Sequence, residues 1–272
     1  MALFRYFSPE AALRVLKTSE LMVTPPKYLN DPLECRPVIK CKDPDGFARR
    51  KVDEIMTSDF FESQKSILPV RSFQEYQSIL KNRDSELSER AVQLVADADS
   101  HLQAKIQDLI SKEVGVICFA ADGLNHQMWA HYASSHHGMV IEFRQDDPVF
   151  SLPSFFPIEY SDEPVVLDAS SRITRDDIAL LLRRKRSRWS SEMESRLVVP
   201  LEKATPRDCR DGRRYFIPIG PKLVVSFTLG LRANDEIRRA VIELLRRPDF
   251  AHVKGFKVSP NIETGLLERE PL

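Results

Sequence analysis

The stretch WSSEMESRLVVP, residues 189–200, combines the end of a helix, a short loop and the start of a strand. The pattern predicts a helix from about Thr174 to Trp189, and Arg196–Leu201 is typical of a strand that ends beside a proline. Helices and strands mix along the rest of the chain without regular alternation. This pattern favours an α+β fold over a doubly wound sheet, built as a single domain over residues 1–272.

The loop in this stretch carries two candidate catalytic carboxylates, Glu192 and Glu194. Two carboxylates separated by one residue, at the start of an extended strand, can project to the same side. One can bond a sugar hydroxyl while the other orients a nucleophile or stabilises developing positive charge. That division suits chemistry at an anomeric carbon. In the alternative interpretation, both glutamates pair with neighbouring arginines on a wet surface.

On either side of this stretch the chain alternates between β-rich and helical parts. Leu3–Phe7 reads as a strand, Ser8 with Pro9 as a helix start, and Leu21–Thr24 as a second strand. Residues 43–113 carry apolar positions at helical spacing, which predicts a helical insertion or subdomain. Further β-like segments follow it, at Val114–Ala121, Gly138–Arg144, Phe155–Tyr160, Tyr215–Ile219, Leu223–Leu231 and Val253–Val258.

Two clusters near the N-terminus are candidate binding residues. Arg5, with Tyr6 in the opening strand, can reach an anion or pair with a carboxylate across the sheet. The alternative for Arg5 is a surface arginine on an edge strand. Asn30 and Asp31 stand directly before a proline, so they form either a side-chain-to-backbone turn or a loop that bonds ribose hydroxyls.

The densest aromatic cluster comprises Trp129, His131 and Tyr132, followed by His136 and His137. Trp129, Tyr132 and His136 recur at helical spacing, and aromatic rings with a histidine suit stacking on a flat heteroaromatic ligand. A core helix with a satisfied histidine is the alternative. We predict no metal site, because no acid or cysteine completes a ligand set here and the four cysteines lack zinc spacing.

Charge adds a further set of candidates. The whole chain has 272 residues and balances 40 Lys and Arg against 40 Asp and Glu, which argues against duplex DNA binding by overall field. Residues 172–214 hold 13 basic and 7 acidic residues, a local net charge of +6. In this segment Lys185, Arg188, Trp189 and Arg196 are candidate substrate-binding residues, and a solvated helix face is the alternative. Lys185 shares a helical stripe with apolar residues and is expected to point inward.

Targeting signals are not apparent in the sequence. Residues 1–7 lack the hydrophobic region of a signal peptide, and the longest apolar runs are far shorter than the roughly 20 residues of a membrane helix. We therefore expect a cytoplasmic protein with reduced cysteines and no membrane partner.

These clusters together resemble a mainly bacterial family known as domain of unknown function twenty-nine seventy-one. The resemblance rests on Leu3-Phe4-Arg5-Tyr6, Asn30-Asp31-Pro32-Leu33-Glu34, Met128-Trp129-Ala130-His131-Tyr132 with His137-Gly138, and Trp189, Glu192, Glu194 and Arg196. It spans nearly the whole chain, and residues 43–113 are its most variable part. The family name implies no activity.

A second resemblance, to the ADP-ribosyltransferase superfamily, does imply an activity. The order of a strand with a cationic residue, a helix and a strand, and later Glu-x-Glu leading into a strand, is similar to that fold. The resemblance implies a split mixed or antiparallel sheet with NAD, the co-substrate, in its cleft. It makes Arg5 the first-strand residue that holds the dinucleotide and Glu194 the catalytic carboxylate. Glu192 would position the acceptor, and Tyr132 or Trp129 would stack on nicotinamide. The chain departs from the superfamily in lacking a Ser-Thr-Ser triplet on a central strand.

Three functions follow as expectations. The first is an NAD-dependent ADP-ribosyltransferase-like enzyme, such as a toxin or phage-defence effector, acting on protein, RNA or DNA and paired with an antitoxin or immunity partner. The second is a non-catalytic nucleotide- or nucleic-acid-binding module of a defence system. The third is a nuclease that would hold a divalent metal with Glu192, Glu194 and His131.

Overall fold

The structure is a computed structural model that describes residues 2–83, 85–87, 89–90, 93, 99–209 and 212–272. Within these residues the chain divides into two compact units. The first comprises Met1–Cys35, Asp108–Glu163 and Leu182–Leu272, and the second comprises Arg36–Gln107 and Pro164–Leu181. The second unit therefore contains most of the expected helical insertion together with a segment from much later in the sequence.

The secondary structure of the first unit is mixed, as expected for an α+β fold. Its strands are β1 (Leu3–Phe7), β2 (Glu20–Val23), β4 (Val114–Ala120), β5 (Met139–Phe143), β6 (Phe155–Pro157), β7 (Glu159–Tyr160), β9 (Arg184–Lys185), β10 (Glu194–Pro200), β11 (Thr205–Cys209), β12 (Gly212–Pro218), β13 (Val224–Leu229), β14 (Lys254–Pro260) and β15 (Leu267–Pro271). Its helices are α1 (Pro9–Thr18), α6 (His126–Tyr132) and α8 (Asp235–Leu245), and Ser187–Glu192 is a 3-10 helix.

Eight strands of the described chain form the main sheet, in the order β15-β14-β13-β5-β1-β4-β10-β6. All neighbours in it pair antiparallel except β13 and β14, which are parallel, so the sheet is mixed. A smaller sheet has the order β11-β12-β2. The expected α+β class is confirmed.

The side-chain alternation of β1 explains how the main sheet is covered. Leu3 and Phe7 are buried in one apolar cluster with residues of α1 and α8. Phe4 and Tyr6 are buried in a second cluster with residues of α6. Because successive side chains of a strand point to opposite faces, β1 packs helices on both sides of the sheet. Ser8 caps α1 by accepting a hydrogen bond from the backbone N–H of Ala11, as the sequence predicts.

The main sheet is split beside β1. In the described residues β4 pairs with β1 at one position, Phe4 with Ala120, whereas β1 pairs with β5 along its whole length. Four residues earlier in β4, Val116 exchanges two backbone hydrogen bonds with Thr24, which directly follows β2. β1 and β2 therefore both reach the edge of β4 that does not pair with β10, at points four residues apart in β4.

The second unit is mainly helical. It contains β3 (Val38–Lys40), α2 (Pro44–Ile55), α3 (Ser58–Gln64), α4 (Phe73–Lys81) and β8 (Val166–Asp168), while α5 (Asp99–Glu113) and α7 (Arg175–Arg183) have residues in both units. The strands β3 and β8 pair in parallel, although the sequence gives no signal for them. The helical prediction for residues 84, 88, 91–92 and 94–98 lies outside the described residues.

One predicted element is wrong. The helix expected to run to Trp189 ends as α7 at Arg183, and β9 and the 3-10 helix follow it. Lys185 nevertheless points inward and is only 4% exposed. The inward direction expected from helical spacing is therefore correct, but its cause is different. β9 pairs with β7, and the backbone of this short strand turns the Lys185 side chain towards buried carboxylates.

Candidate functional site

The first unit contains a cavity of about 250 Å³ on the α6 side of the main sheet. It is lined by residues of the opening strand, the loop after β2, β4, α6 and the Glu-x-Glu segment. They are Phe4, Arg5, Tyr6, Met22, Thr24, Tyr28, Leu29, Asn30, Cys118, Phe119, Ala120, Met128, Tyr132, Lys185, Glu192, Glu194 and Arg196. Four segments that the sequence singled out separately therefore meet at one cavity.

The two glutamates of the Glu-x-Glu segment turn towards the same ammonium group. Glu192 ends the 3-10 helix, Glu194 begins β10, and Met193 between them has a left-handed backbone with φ of 43°. Lys185 donates hydrogen bonds from Nζ to Oε2 of Glu192 at 2.6 Å and to Oε2 of Glu194 at 2.7 Å. The strained turn at Met193 is what lets residues on two different elements share one lysine.

Arg196 is fully buried and holds the other side of Glu194. Its Nε donates to Oε1 of Glu194 at 2.6 Å, its Nη1 to the carbonyl of Leu182 at 3.0 Å, and its Nη2 to Oε1 of Glu34. Burial lowers the pKa of Arg196 to about 9, and the side chain still carries its charge at neutral pH. This guanidinium therefore neutralises two carboxylates, and phosphate recognition is not its role in this arrangement.

The buried charge cluster, defined as Glu34, Lys185, Glu192, Glu194 and Arg196, has three acids and two cations. Burial alone would lower the pKa of Lys185, but Glu194 and Glu192 raise it above its ordinary value. Burial raises the pKa of Glu194, and the contact with Lys185 opposes that change. Lys185 is thus a permanent cation, unsuited to acting as an amine nucleophile.

Glu192 and Glu194 differ in how many hydrogen bonds they still can accept. Glu194 accepts one hydrogen bond from Lys185 and two from nitrogens of Arg196, so its two oxygens are nearly saturated. Glu192 accepts from Lys185 and from Tyr132. Glu192 is therefore the carboxylate with capacity left for a ligand hydroxyl.

Tyr132 links α6 to the charge cluster and to the loop after β2. Its hydroxyl donates to Oε1 of Glu192 at 2.7 Å and accepts from Nδ2 of Asn30 at 2.7 Å. Burial, followed by the hydrogen bond to Glu192, raises the pKa of Tyr132 well above its ordinary value. The phenol remains a neutral donor across the physiological range.

Asp31 and Trp189 fix the same loop from the other side. Trp189 donates its indole N–H to Oδ2 of Asp31 at 2.9 Å, and Lys185 lies over the Trp189 ring, 5.5 Å from its centroid. Oδ1 of Asp31 accepts from the backbone N–H of Leu33 at 2.9 Å, which is the side-chain-to-backbone turn that the sequence predicts. Asp31 is thus a structural residue beside the cavity, whereas Asn30 lines it.

The guanidinium of Arg5 lies between β2 and β4. It donates to the carbonyl of Cys118 on β4 at 3.3 Å and to the carbonyl of Met22 on β2 at 3.2 Å. Burial lowers the pKa of Arg5. In the described part of the chain no carboxylate contacts it within ion-pair distance. Arg5 therefore brings a positive charge to the cavity wall without a contacting counterion, an arrangement that favours an anionic ligand group.

The Tyr6 side chain at the cavity wall makes two hydrogen bonds through its hydroxyl and one contact through its ring. Its hydroxyl donates to the carbonyl of Asp122 at 2.8 Å and accepts from the backbone N–H of Asn125 at 3.2 Å. The Tyr6 ring meets that of Trp129 edge-on at 5.4 Å. Tyr6 thus contributes a ring to the cavity while its hydroxyl fixes the start of α6.

Five of the predicted binding residues do not line the cavity, namely Asp31, Trp129, His131, Arg188 and Trp189. Trp129 is completely buried, donates its indole N–H to the carbonyl of Gly123 at 3.0 Å and stacks on His136, so it is a core residue that cannot reach a ligand. His131 lies on the exposed side of α6, and Arg188 is exposed on the 3-10 helix. Sequence periodicity correctly identified the helix, but it could not tell which of its faces is the core.

Among the residues that the structure describes, no group of three or more His, Cys, Asp and Glu side chains is arranged to hold a metal ion. The three carboxylates of the charge cluster surround Lys185 instead, with its ammonium in the place that a cation would take.

No helix among the described residues is long and apolar enough to cross a membrane.

Three residues of the site carry no role in the sequence interpretation. Glu34 binds Arg196 and lies 3.7 Å from Lys185. Cys118 lies opposite Arg196 in the pairing of β4 with β10 and lines the cavity, and Tyr160 accepts a hydrogen bond from the backbone N–H of Glu194 at 2.8 Å. Glu34 ends the Asn-Asp-Pro-Leu-Glu motif, and this motif is the sequence signal that could have identified it as a site residue. Cys118 and Tyr160 reach the site only through strand pairing.

Searches against family models, curated proteins and solved structures find no match to this chain. The two resemblances seen in the sequence therefore stay predictions.

Proposed function

We propose that this protein is an NAD-dependent ADP-ribosyltransferase-like enzyme whose site is the cavity on the α6 side of the main sheet. The observation that supports this most is the meeting of Arg5, Tyr132 and the Glu192–Glu194 pair at one cavity. The sheet divides beside Arg5, as in the split sheet that the resemblance to this superfamily implies. Membership of the family of unknown function is part of the same proposal.

The size and lining of the cavity suit one half of the dinucleotide. At about 250 Å³ it is slightly smaller than typical ligand pockets of about 300–1,000 Å³, so it would hold nicotinamide and its ribose with the rest of the dinucleotide extending outward. The rings of Tyr132 and Tyr6 offer flat surfaces for nicotinamide, and Arg5 supplies a charge for the adjacent phosphates.

The hydrogen-bond capacities of the glutamates assign the chemistry. Glu192 would bond a ribose hydroxyl, and the carboxylates of Glu192 and Glu194 would stabilise the oxocarbenium-like transition state. The bond between ribose C1′ and the nicotinamide nitrogen breaks, and nicotinamide leaves with the electron pair. An acceptor oxygen or nitrogen then bonds C1′ and loses a proton to solvent or to Glu192. Glu194, which is nearly saturated, would hold Lys185 and Arg196.

The acceptor and the biological setting are part of the proposal. A protein or nucleic acid acceptor would approach the cavity from solvent, and the exposed Arg188, which does not line the cavity, is a candidate contact for it. An enzyme that consumes NAD in the cytoplasm harms its own cell, which fits a toxin or phage-defence effector held in check by an antitoxin or immunity partner. The nuclease alternative gains nothing from the structure, because His131 lies outside the cavity and Lys185 takes the centre of the carboxylates.

The test is incubation of the purified protein with NAD, alone and with cell extract, followed by mass spectrometry of released nicotinamide. We expect release by the wild type and loss of most of it in Glu192→Gln. The matched control is Glu159→Gln, which removes a carboxylate that pairs with Arg184 near the surface and should leave release unchanged. Binding of NAD with no release in either condition would instead support the nucleotide-binding module.

A further inference from the structure

Glu34 is a buried carboxylate that the proposed reaction does not use. Its side chain is 2% exposed, and it follows the loop that carries Asn30 and Asp31. One oxygen accepts from Nη2 of Arg196, and the other lies 3.7 Å from Nζ of Lys185. Burying an acid is costly unless it is paired, so its place between two cations calls for an account.

Glu34 contacts the two cations that hold the Glu192–Glu194 pair. Arg196 bridges Glu34 and Glu194, and Lys185 bridges Glu192 and Glu194. A guanidinium presents its donors in a rigid plane, so the carboxylate on one edge fixes the direction of the other edge. Glu34 therefore sets the orientation of Arg196 and, through it, the orientation of Glu194.

The charge of Glu34 matters as much as its position. Without Glu34 the cluster would hold two acids and two cations and would be neutral. With Glu34 it has one negative charge in excess, which matches the positive charge of Arg5 at the same cavity wall, in surroundings where a charge acts strongly because water is largely excluded. Without Glu34 the cavity wall would carry an excess positive charge, which opposes positive charge that develops on a ligand.

We propose that Glu34 is a positioning residue of this site, which fixes Arg196 and supplies, beside Glu192 and Glu194, the third negative charge that balances Lys185, Arg196 and Arg5. The effect of Glu34 on NAD cleavage rests on the proposed function. Its effect on the charge cluster does not depend on any substrate, so the two effects can be tested separately.

The first experiment measures the cluster directly. Glutamate labelled with ¹³C at the carboxyl carbon is followed by NMR against pH in the wild type, Glu34→Gln and Glu34→Asp, with Glu192→Gln and Glu194→Gln to assign signals. Removing a neighbouring negative charge favours the ionised form of the remaining acids, so Glu34→Gln should lower the Glu194 midpoint by about one pH unit. Glu34→Asp, which keeps the charge, should lower it less. Glu54→Gln removes an exposed acid paired with Lys51 and is the matched control, with no change at Glu194.

Midpoints that are unchanged in Glu34→Gln would overturn the proposal. If that variant does not fold, the wild-type titration decides. The Glu34 and Glu194 signals should then show the two-step curves of coupled groups at shared pH values, and independent single steps would overturn the proposal.

The second experiment compares NAD cleavage in the same variants. We expect Glu34→Gln to lower kcat about tenfold with KM changed less than about twofold, because the residue touches no part of the ligand. Wild-type kinetics in Glu34→Gln would overturn the role of Glu34 and leave the proposed function standing. No cleavage by the wild type, together with the expected NMR shifts, would overturn the proposed function and leave the role of Glu34 in the cluster standing.

Discussion

The hydroxyl of Tyr132 donates a hydrogen bond to Oε1 of Glu192 over 2.7 Å, across 60 residues of sequence. The same hydroxyl accepts from Asn30. This contact joins α6, the loop after β2 and the Glu-x-Glu segment, which are three of the segments that the sequence singled out. It also fixes one oxygen of Glu192 while the other faces Lys185. The direction in which Glu192 presents its free lone pairs thus depends on a tyrosine.

Replacing Tyr132 with phenylalanine should therefore impair activity more than stability. The variant keeps the ring at the cavity wall but loses a hydrogen bond to a charged group, so we expect kcat for NAD cleavage to fall about tenfold, or about 1.4 kcal/mol. The loss in unfolding free energy should be about 0.5–1.5 kcal/mol. Tyr215→Phe is the control, since Tyr215 packs against the other apolar cluster. Equal activities of the two variants would contradict the contact's role.

Removing Arg196 should destabilise the protein strongly. Arg196→Ala leaves Glu34 and Glu194 buried without their main partner, which costs about 3–5 kcal/mol of unfolding free energy. The matched control is Arg247→Ala, which breaks an exposed pair with Asp249 and should cost less than about 1 kcal/mol. Urea denaturation of both variants measures the difference. Similar urea midpoints for Arg196→Ala and Arg247→Ala would contradict the burial of the charge cluster.

The stability of the protein should fall between neutral and mildly acidic pH in part through His136. Burial, with His126, Arg232 and His137 nearby, lowers the pKa of His136 below its ordinary value of 6.5. Below pH 6.5 the unfolded chain then binds more protons than the folded one, so stability decreases as pH falls towards the folded pKa. Thermal unfolding from pH 7.5 to 5 should show this decrease.

The matching variant for this pH effect is His136→Asn. His136 has a left-handed backbone with φ of 70°, which asparagine tolerates, and the amide does not titrate in this range. The fall in melting temperature should be smaller in this variant than in the wild type. His252→Asn, at an exposed histidine, should retain the wild-type decrease. A variant curve parallel to that of the wild type would assign the effect to other groups.

The sequence predicted the elements of the first unit better than their assembly. Strand alternation and the Ser8-Pro9 cap identify β1 and α1 because both signals are local. The sheet order and the split beside β1 depend on pairing between distant strands, which periodicity does not encode. The loss of helix after Arg183 has the same origin, since β9 exists only by pairing with β7.

The candidate site shows the same division. Residue chemistry located Arg5, Tyr132, Glu192 and Glu194, and the structure brings them to one cavity. The sequence could not show that the oxygens of Glu194 already accept hydrogen bonds from Lys185 and Arg196, because tertiary packing decides which hydrogen bonds a carboxylate accepts. Glu34 belongs to the Asn30–Glu34 motif, but its role follows only from its contact with Arg196, which the sequence does not show.

The burial of Trp129 gives the last prediction, which separates a core role from ligand stacking. Trp129 is completely buried and bonds the Gly123 carbonyl, so Trp129→Ala should cost about 3–5 kcal/mol of unfolding free energy through the cavity it creates. Trp129→Phe should cost less and leave KM for NAD unchanged at a temperature where it is folded. If Trp129 stacked on nicotinamide instead, Trp129→Phe would raise KM while leaving the urea midpoint near that of the wild type. Kinetics and urea denaturation of this one variant distinguish the two roles, because burial predicts a change in the midpoint and stacking predicts a change in KM.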